Sequence, residues 1–180
     1  MRGFFVFNRH GIINFMKTGL FIGRFQPLHY GHLWMIQMIA RQVDHLIIGL
    51  GSSNSAPSCK NPFTAPERIE MIKRGMKEIG VRGYSIVELP DFKSDEEWIK
   101  EMGKFSFDTA WSGNEWVQRV FKEHGLPIEV IKEFPGLSGT KIRRHIVTGQ
   151  PWLKFIPLSV RKYLQEIKAT TRVRTLCKRV

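Results

Sequence analysis

The sequence predicts an α/β protein built on a single doubly wound parallel sheet, with helices on both faces. Three observations support this fold class. Apolar segments of strand length alternate with helical segments along the chain, the first two strand segments are apolar enough to be buried, and polar motifs fall in the loops that follow the strands. The 180 residues show no internal repeat or linker, so we expect one domain.

The first half of the chain is a predicted βαβ unit followed by a further helix. Residues 20–22 form a short apolar strand, residues 32–41 have the apolar spacing of a helix, and residues 46–50 form a second buried strand. A loop rich in Ser, Asn and Pro covers residues 51–61. Thr64 and Glu67 then form a capping box, which predicts a helix that ends at Gly80.

The same alternation continues through the second half. Strands are predicted over residues 84–89, 109–111 and 128–131. Helices are predicted over residues 95–102, from Asn114 as a cap, over residues 138–147 before Gly149, and over residues 158–167. Because strand and helix alternate throughout, the strands are expected to run parallel.

Composition assigns the two ends of the chain to separate segments. Residues 1–15 are apolar and basic but too interrupted for a signal peptide, so we expect a non-native or disordered leader. Residues 16–168 form the predicted domain, and residues 169–180 are expected to be a solvated basic tail. The longest apolar run is too short to span a membrane. Two cysteines, Cys59 and Cys177, make no disulfide framework and fit a reducing, cytoplasmic environment.

The net charge of +12 limits the choice of partners. Such a charge raises nucleic acid as a partner, but a substrate with several phosphates needs the same positive potential. Composition alone therefore leaves both classes open.

A histidine motif follows the first strand. Residues 29–32 (HYGH) place two histidines around a glycine at the start of a helix. Gly31 allows the backbone to come close to a polyphosphate, and the amide dipoles and both imidazoles can point at one anion. An ordinary helix start with two exposed histidines would carry the same residues.

A second motif of similar chemistry lies far downstream, in residues 138–144 (SGTKIRR). Ser138 can cap a helix, Thr140 offers a hydroxyl, and Arg143 offers a guanidinium that fits phosphate oxygens. A capped helix with a solvated basic face is the alternative reading. In a doubly wound sheet both motifs lie beyond the carboxyl ends of the strands, where ligands bind at the switch point.

Over residues 18–167 the sequence resembles the archaeal-type nicotinamide mononucleotide (NMN) adenylyltransferases of the nucleotidyltransferase superfamily. The matching segments are residues 23–27 (GRFQP), 29–32 (HYGH), 49–52 (GLGS), 61–64 (NPFT), Glu67-Arg68, Trp98, 112–114 (SGN) and 138–144. The resemblance implies a Rossmann-like nucleotidyltransferase fold. It also implies transfer of AMP from ATP to NMN, which gives NAD and pyrophosphate.

The resemblance further implies roles for individual residues. The implied catalytic residues are His29, His32, Arg24, Arg143 and Lys60. The implied substrate-binding residues are Gly23, Phe25, Gly31, Gly51, Ser52, Asp95, Trp98, Ser112, Gly113, Asn114, Ser138 and Thr140. Trp98 would stack on the nicotinamide ring. Relatives have Asn where this chain has Asp95, whose carboxylate would favour the amide substrate over the acid.

The reaction implies a divalent ion, most simply Mg²⁺, held mainly by the ATP phosphates, because no protein ligand set is recognisable in the sequence. The resemblance also suggests a homo-oligomer, a hexamer in particular. Two alternatives stay open: another member of the superfamily that uses phosphopantetheine, a flavin mononucleotide or a CTP-linked alcohol phosphate, and a non-catalytic nucleotide- or nucleic-acid-binding module. Trp98 and residues 61–64 favour the nicotinamide enzyme.

Overall fold

Five parallel strands form the central sheet of the protein. A computed structural model describes residues 5–7, 13–131 and 134–178 of the chain. The five strands are β3 (Thr18–Gly23), β4 (His45–Gly51), β5 (Tyr84–Leu89), β6 (Thr109–Ser112) and β7 (Ile128–Val130), and their order across the sheet is β5-β4-β3-β6-β7. The chain builds outward from β3 on one side and then crosses over to build the other side, so the switch point lies between β3 and β6.

Helices cover both faces of this sheet. They are α1 (Tyr30–Ala40), α2 (Ala65–Glu78), α3 (Asp95–Met102), α4 (Glu115–Glu123), α5 (Gly139–Thr148), α6 (Leu158–Glu166) and α7 (Ala169–Cys177), with a short 3-10 turn at Leu153–Phe155. The predicted alternation and the doubly wound parallel sheet are confirmed.

Successive residues of β3 face opposite sides of the sheet and therefore different helices, as the two-residue period of a strand requires. Phe21 packs in the core formed with α1, α2, α5, α6 and α7, whereas Leu20 and Ile22 pack in the core formed with α3 and α4. All three side chains are at most 5% exposed. Full burial of such a side chain contributes about 1.5–3 kcal/mol, so the central strand is fixed from both sides.

The carboxyl-terminal segment differs from the expected solvated tail. Residues 169–177 form α7, with Ala169 and Val173 buried one turn apart against the core. Arg174 Nε donates to the carbonyl oxygen of Ile146 at 2.9 Å. Only two residues of α7 are buried, so its apolar side is too short to be recognised in the sequence among the basic side chains.

The expectation for the cysteines is also corrected. Cys59 and Cys177 form a disulfide that joins α7 to the loop after β4, with 4.6 Å between their Cα atoms. The two residues are 118 positions apart, so only the tertiary fold brings them together.

The expected leader lies largely outside the described residues. Within it, β1 (Phe5–Phe7) and β2 (Ile13–Phe15) pair antiparallel as a two-stranded sheet of their own. In the described part of the chain, no helix is long and apolar enough to cross a membrane.

Candidate active site

A cavity of about 210 Å³ opens at the switch point of the sheet, beyond the ends of β3 and β6. Its lining comes from the end of β3 and the loop after it, the first two turns of α1, the loops after β6 and β7, and the first turn of α5. Among the residues predicted from sequence, it gathers Gly23, Arg24, Phe25, His29, Gly31, His32, Gly113, Asn114, Ser138, Thr140 and Arg143. Two motifs more than a hundred residues apart in the sequence therefore meet in one site.

The two histidines of the first motif form a stacked pair. Their ring centroids are 3.6 Å apart with an interplanar angle of 21°. His29 is the N-cap of α1: its Nδ1 accepts the backbone N–H of His32, and the Nδ1 of His32 accepts the backbone N–H of His29. Because each Nδ1 acts as an acceptor, the neutral imidazole carries its proton on Nε2. Each ring thus keeps an N–H donor for a ligand.

Burial keeps both imidazoles neutral. It lowers the pKa of His29 from 6.5 to about 4, and it lowers the pKa of His32 well below 6.5, helped by the neighbouring His29. Desolvation disfavours the charged form of a histidine, which is the physical cause of both shifts. The pair therefore supplies hydrogen-bond donors without carrying charge at neutral pH.

Gly31 lies in close contact with the stacked pair. A Cβ at position 31 would lie 3.1 Å from the Cε1 and Nδ1 atoms of His29 and 3.2 Å from the Cβ of Phe134. The capping ring and Phe134 would each have to move by a few tenths of an ångström to accept a side chain there. The glycine between the histidines allows the ring to fold back over the helix start.

Arg143 connects the second motif to the loop that leads into the first. Its Nη1 donates to the carbonyl oxygen of Gln26 at 2.7 Å, and its Nη2 donates to the Thr140 hydroxyl at 3.1 Å. Gly139 makes room for this contact, because a Cβ there would lie 3.0 Å from the Gln26 oxygen. The guanidinium is thereby held at the cavity wall by the loop that carries the histidines.

The cavity is electrostatically positive. Burial, together with the nearby charge of Arg24, lowers the pKa of Arg143 to about 10, so Arg143 is still charged at neutral pH. The described residues that line the cavity include no carboxylate to neutralise either guanidinium. Two uncompensated cations in a recess favour a ligand that brings its own negative charge.

Two helix N-termini add to this potential. The first turns of α1 and α5, both at the cavity, contain no acidic residue. The other helices are divided: α2, α3 and α4 each carry acidic side chains in the first turn, whereas α6 and α7, whose residues do not line the cavity, carry none. Because an acid there would compensate the positive end of the helix dipole, its absence from α1 and α5 leaves those ends available to an anion.

Several predicted site residues lie outside the cavity lining. Lys60 is exposed in the loop before Asn61, whose Oδ1 accepts from Arg24 Nη1 at 3.3 Å. Ser112 is fully buried, and its hydroxyl donates to the Ile22 carbonyl oxygen at 3.2 Å, which ties β6 to β3. Gly51 and Ser52 border the site through their backbone, which accepts hydrogen bonds from Arg68.

Trp98 and Asp95 are not brought to the cavity. Trp98 is only 4% exposed and packs in the core between α3, α4 and the sheet, with its ring centroid 4.9 Å from that of Trp116. The Asp95 carboxylate accepts from Arg119 Nη2 at 2.8 Å and from Trp116 Nε1 at 3.1 Å. Both residues thus stabilise the α3–α4 pair in this structure.

Two buried polar residues of the site region received no role from the sequence. The Gln26 side chain is 3% exposed and binds both backbone groups of Phe63, at 2.8 and 2.9 Å. Arg68, at 1% exposure, binds loop carbonyls. Both lie in segments that carry the family resemblance, and that resemblance is the sequence feature that could have identified them. No sequence feature pointed to the hydrophobic lining residues Met35, Ile131, Phe134 and Leu137.

The described residues include no cluster of three or more His, Cys, Asp or Glu side chains that could hold a metal ion. The donor set of the cavity, imidazoles and guanidiniums without carboxylates, does not suit Mg²⁺, which prefers oxygen ligands. A divalent ion at this site would have to be bound by ligand phosphates and water.

The chain belongs to the cytidylyltransferase-like family, whose sequence profile matches residues 20–145. Within that family it is similar to nicotinamide-nucleotide adenylyltransferases. It is 39% identical to the enzyme of Pyrococcus furiosus over 168 residues, with 89% of each chain covered. It is 35% identical to the enzyme of Methanolobus tindarius over 167 residues, covering 91% of this chain and 96% of the relative.

Solved structures agree on the fold. A bifunctional NMN adenylyltransferase/ADP ribose pyrophosphatase from Francisella tularensis superposes with a TM-score of 0.73 at 24% identity. The match covers 89% of this chain and 52% of that chain, so the likeness spans about half of the Francisella protein. A putative nicotinate-nucleotide adenylyltransferase from Vibrio parahaemolyticus superposes with a TM-score of 0.60 at 15% identity, covering 83% of this chain and 99% of that one.

Proposed function

We propose that this protein is a nucleotidyltransferase that transfers AMP from ATP to nicotinamide mononucleotide, releasing pyrophosphate and forming NAD. The observation that carries the proposal is the positive cavity at the switch point, with two imidazole donors, two guanidiniums, two helix N-termini and no lining carboxylate among the described residues. The curated relatives that are 35–40% identical over about nine tenths of the chain bear the name of this activity.

The chemistry needs positioning and charge stabilisation more than proton transfer. A 5′-phosphate oxygen of NMN attacks the α-phosphorus of ATP in line, the new P–O bond forms, and the bond to the bridging oxygen of pyrophosphate breaks. A phosphate dianion is already a nucleophile, so no general base or covalent intermediate is required. This agrees with a site whose titratable side chains are donors and cations.

Each side chain then has a physical task. The Nε2–H groups of His29 and His32 would donate to phosphate oxygens as negative charge moves toward the leaving pyrophosphate. Arg143, held by Gln26 and Thr140, would bind phosphates of ATP from the start of α5. Arg24 would attract the nucleotide phosphates from the loop after β3.

The remaining sequence-based expectations stay proposals. We expect ATP to be used as its Mg²⁺ complex; the Francisella protein was crystallised with AMP and a manganese ion. Lys60 would neutralise charge as the phosphates move. We also propose a cytoplasmic homo-oligomer, a hexamer in particular, which light scattering on the purified protein would test.

The direct test is incubation with ATP, Mg²⁺ and one acceptor at a time, following pyrophosphate release and identifying the product by mass. The acceptors are NMN, its acid form, phosphopantetheine and flavin mononucleotide, and a further reaction contains CTP with an alcohol phosphate. Formation of the nicotinamide dinucleotide with the highest kcat/KM supports the proposal. Turnover with another acceptor only would assign the chain to a different branch of the family. If no acceptor leads to pyrophosphate release, the protein would be a binding protein and not an enzyme of this class.

A further inference from the structure

The most deeply buried charge in the region of the site belongs to Arg68, in the second turn of α2. Its side chain is 1% exposed, and its guanidinium spans the ends of two neighbouring strands. Nη1 donates to the carbonyl oxygens of Arg24 at 2.9 Å and Gly51 at 2.8 Å, and Nη2 donates to that of Ser52 at 3.0 Å. One planar group therefore holds the loop after β3 and the loop after β4 together.

These contacts fall where the backbone is least relaxed. Phe25 and Ser52, both residues with side chains, have φ of +51°. For residues other than glycine, the left-handed region is sterically unfavourable, so the surrounding structure has to enforce it. Arg68 binds the carbonyl directly before Phe25 and the carbonyl of Ser52 itself, so it fixes both unusual turns.

The burial of this cation has no simple packing explanation. Within the part of the chain that the structure describes, its hydrogen bonds go to carbonyl oxygens, including that of Thr64 at 3.4 Å, and to no carboxylate. Burial lowers the pKa of Arg68 to about 10, although the charges of Glu88 and Asp91 act in the opposite direction. An apolar side chain of similar volume commonly packs better than a buried charge. The geometry instead suits a role that needs a rigid, planar donor.

We propose that Arg68 is a positioning residue for adenylyl transfer: by binding the Arg24, Gly51 and Ser52 carbonyls, it fixes the loop from which the Arg24 side chain reaches the cavity. This inference rests on the proposed function. The inference goes beyond that function, because Arg68 does not line the cavity and acts on substrate only through Arg24.

The test compares two substitutions with a matched control. Arg68→Met keeps the volume of the side chain and removes its donors, whereas Arg68→Lys keeps the charge and removes the planar fork. Arg74→Met is the control, because Arg74 is a partly exposed arginine of the same helix that pairs with Glu70 and Glu166. All assays are run below the melting temperature of every variant.

We expect Arg68→Met to lower kcat/KM by about a hundredfold, as a misplaced positioning element does, and Arg68→Lys to lower it by about tenfold. Arg74→Met should retain wild-type kcat/KM. If Arg68→Met does not fold, Arg68→Lys carries the comparison, since it keeps the buried charge and part of the hydrogen bonding.

A double-mutant cycle separates positioning from a general loss of structure. If Arg68 acts through Arg24, adding an Arg68 substitution to Arg24→Ala should lower kcat/KM by less than about twofold further, because the side chain that Arg68 positions is already absent. An equal further loss in both backgrounds, or full activity of a folded Arg68 variant, would overturn the proposal. A wild-type protein that makes no dinucleotide in the same assay would instead refute the proposed function.

Discussion

His29 and His32 each cap the backbone of the other: the amide N–H of either residue donates to the Nδ1 of its partner at 3.3 Å. A proton added to either Nδ1 removes one of these acceptors at the start of α1. The pair therefore couples the protonation of the site to the stability of the helix that carries it.

The first prediction is a loss of stability in acid. The pKa of His29 is 6.5 when unfolded and about 4 when folded, so between these values the unfolded chain binds more protons. The stabilisation is fully present above pH 6.5 and is lost as pH falls through about 4, by about 3 kcal/mol for His29 alone. His32 acts in the same direction. Urea unfolding across this range should show the slope, and His29→Gln should flatten it; an unchanged slope in that variant would contradict the coupling.

The second prediction concerns turnover. His32→Ala should reduce kcat far more than it weakens ATP binding, because the imidazole donor is needed most when charge moves during the reaction. The expected cost is about 2–4 kcal/mol, as for the loss of one preorganised donor. His124→Ala is the matched control, since the Nδ1 of His124 contacts the Val120 carbonyl oxygen at the end of α4. Wild-type turnover in His32→Ala would remove this residue from the mechanism.

The third prediction concerns the choice between the amide and acid mononucleotides. The family resemblance implies that the Asp95 carboxylate favours the amide, a preference that Asp95→Asn would relax. Because Arg119 and Trp116 engage the carboxylate away from the cavity, we now expect the ratio of kcat/KM for the two substrates to change by less than about twofold. Arg119→Gln should behave in the same way. A tenfold change in the ratio for Asp95→Asn alone would show that this side chain reaches the substrate.

The fourth prediction concerns the disulfide. Reduction of Cys59–Cys177 should lower the free energy of unfolding by about 2–4 kcal/mol, since the bond closes a loop of 118 residues. Thermal melts with and without dithiothreitol measure this effect. Cys177→Ser should melt at the temperature of the reduced protein and should not respond to the reductant. A reductant effect of equal size in that variant would mean that the bond is not its cause.

The parts of the fold that were predictable are those set by local sequence. The strand at residues 84–89, the capping box of Thr64 and Glu67, and the helix stop at Gly149 follow from patterns within a few residues and appear as expected. The meeting of the two motifs was also predictable, because parallel strands bring their following loops to one edge.

The remainder depended on how elements pack. Whether Trp98 faces the cavity or the core is decided by the rotation of α3 against α4, which its own sequence does not encode. The role of Arg68 arises from two loops that only tertiary structure brings together. The disulfide likewise depends on the docking of α7.

The positive charges around the cavity also affect the protein before any reaction occurs. Arg24 and Arg143 repel each other, and the N-termini of α1 and α5, which carry no acidic residue in their first turns, lie at the same cavity. A polyphosphate that binds there relieves this repulsion and binds only the folded state. By mass action it then raises the melting temperature with the logarithm of its concentration, so the protein resists heat better where its ligand is abundant.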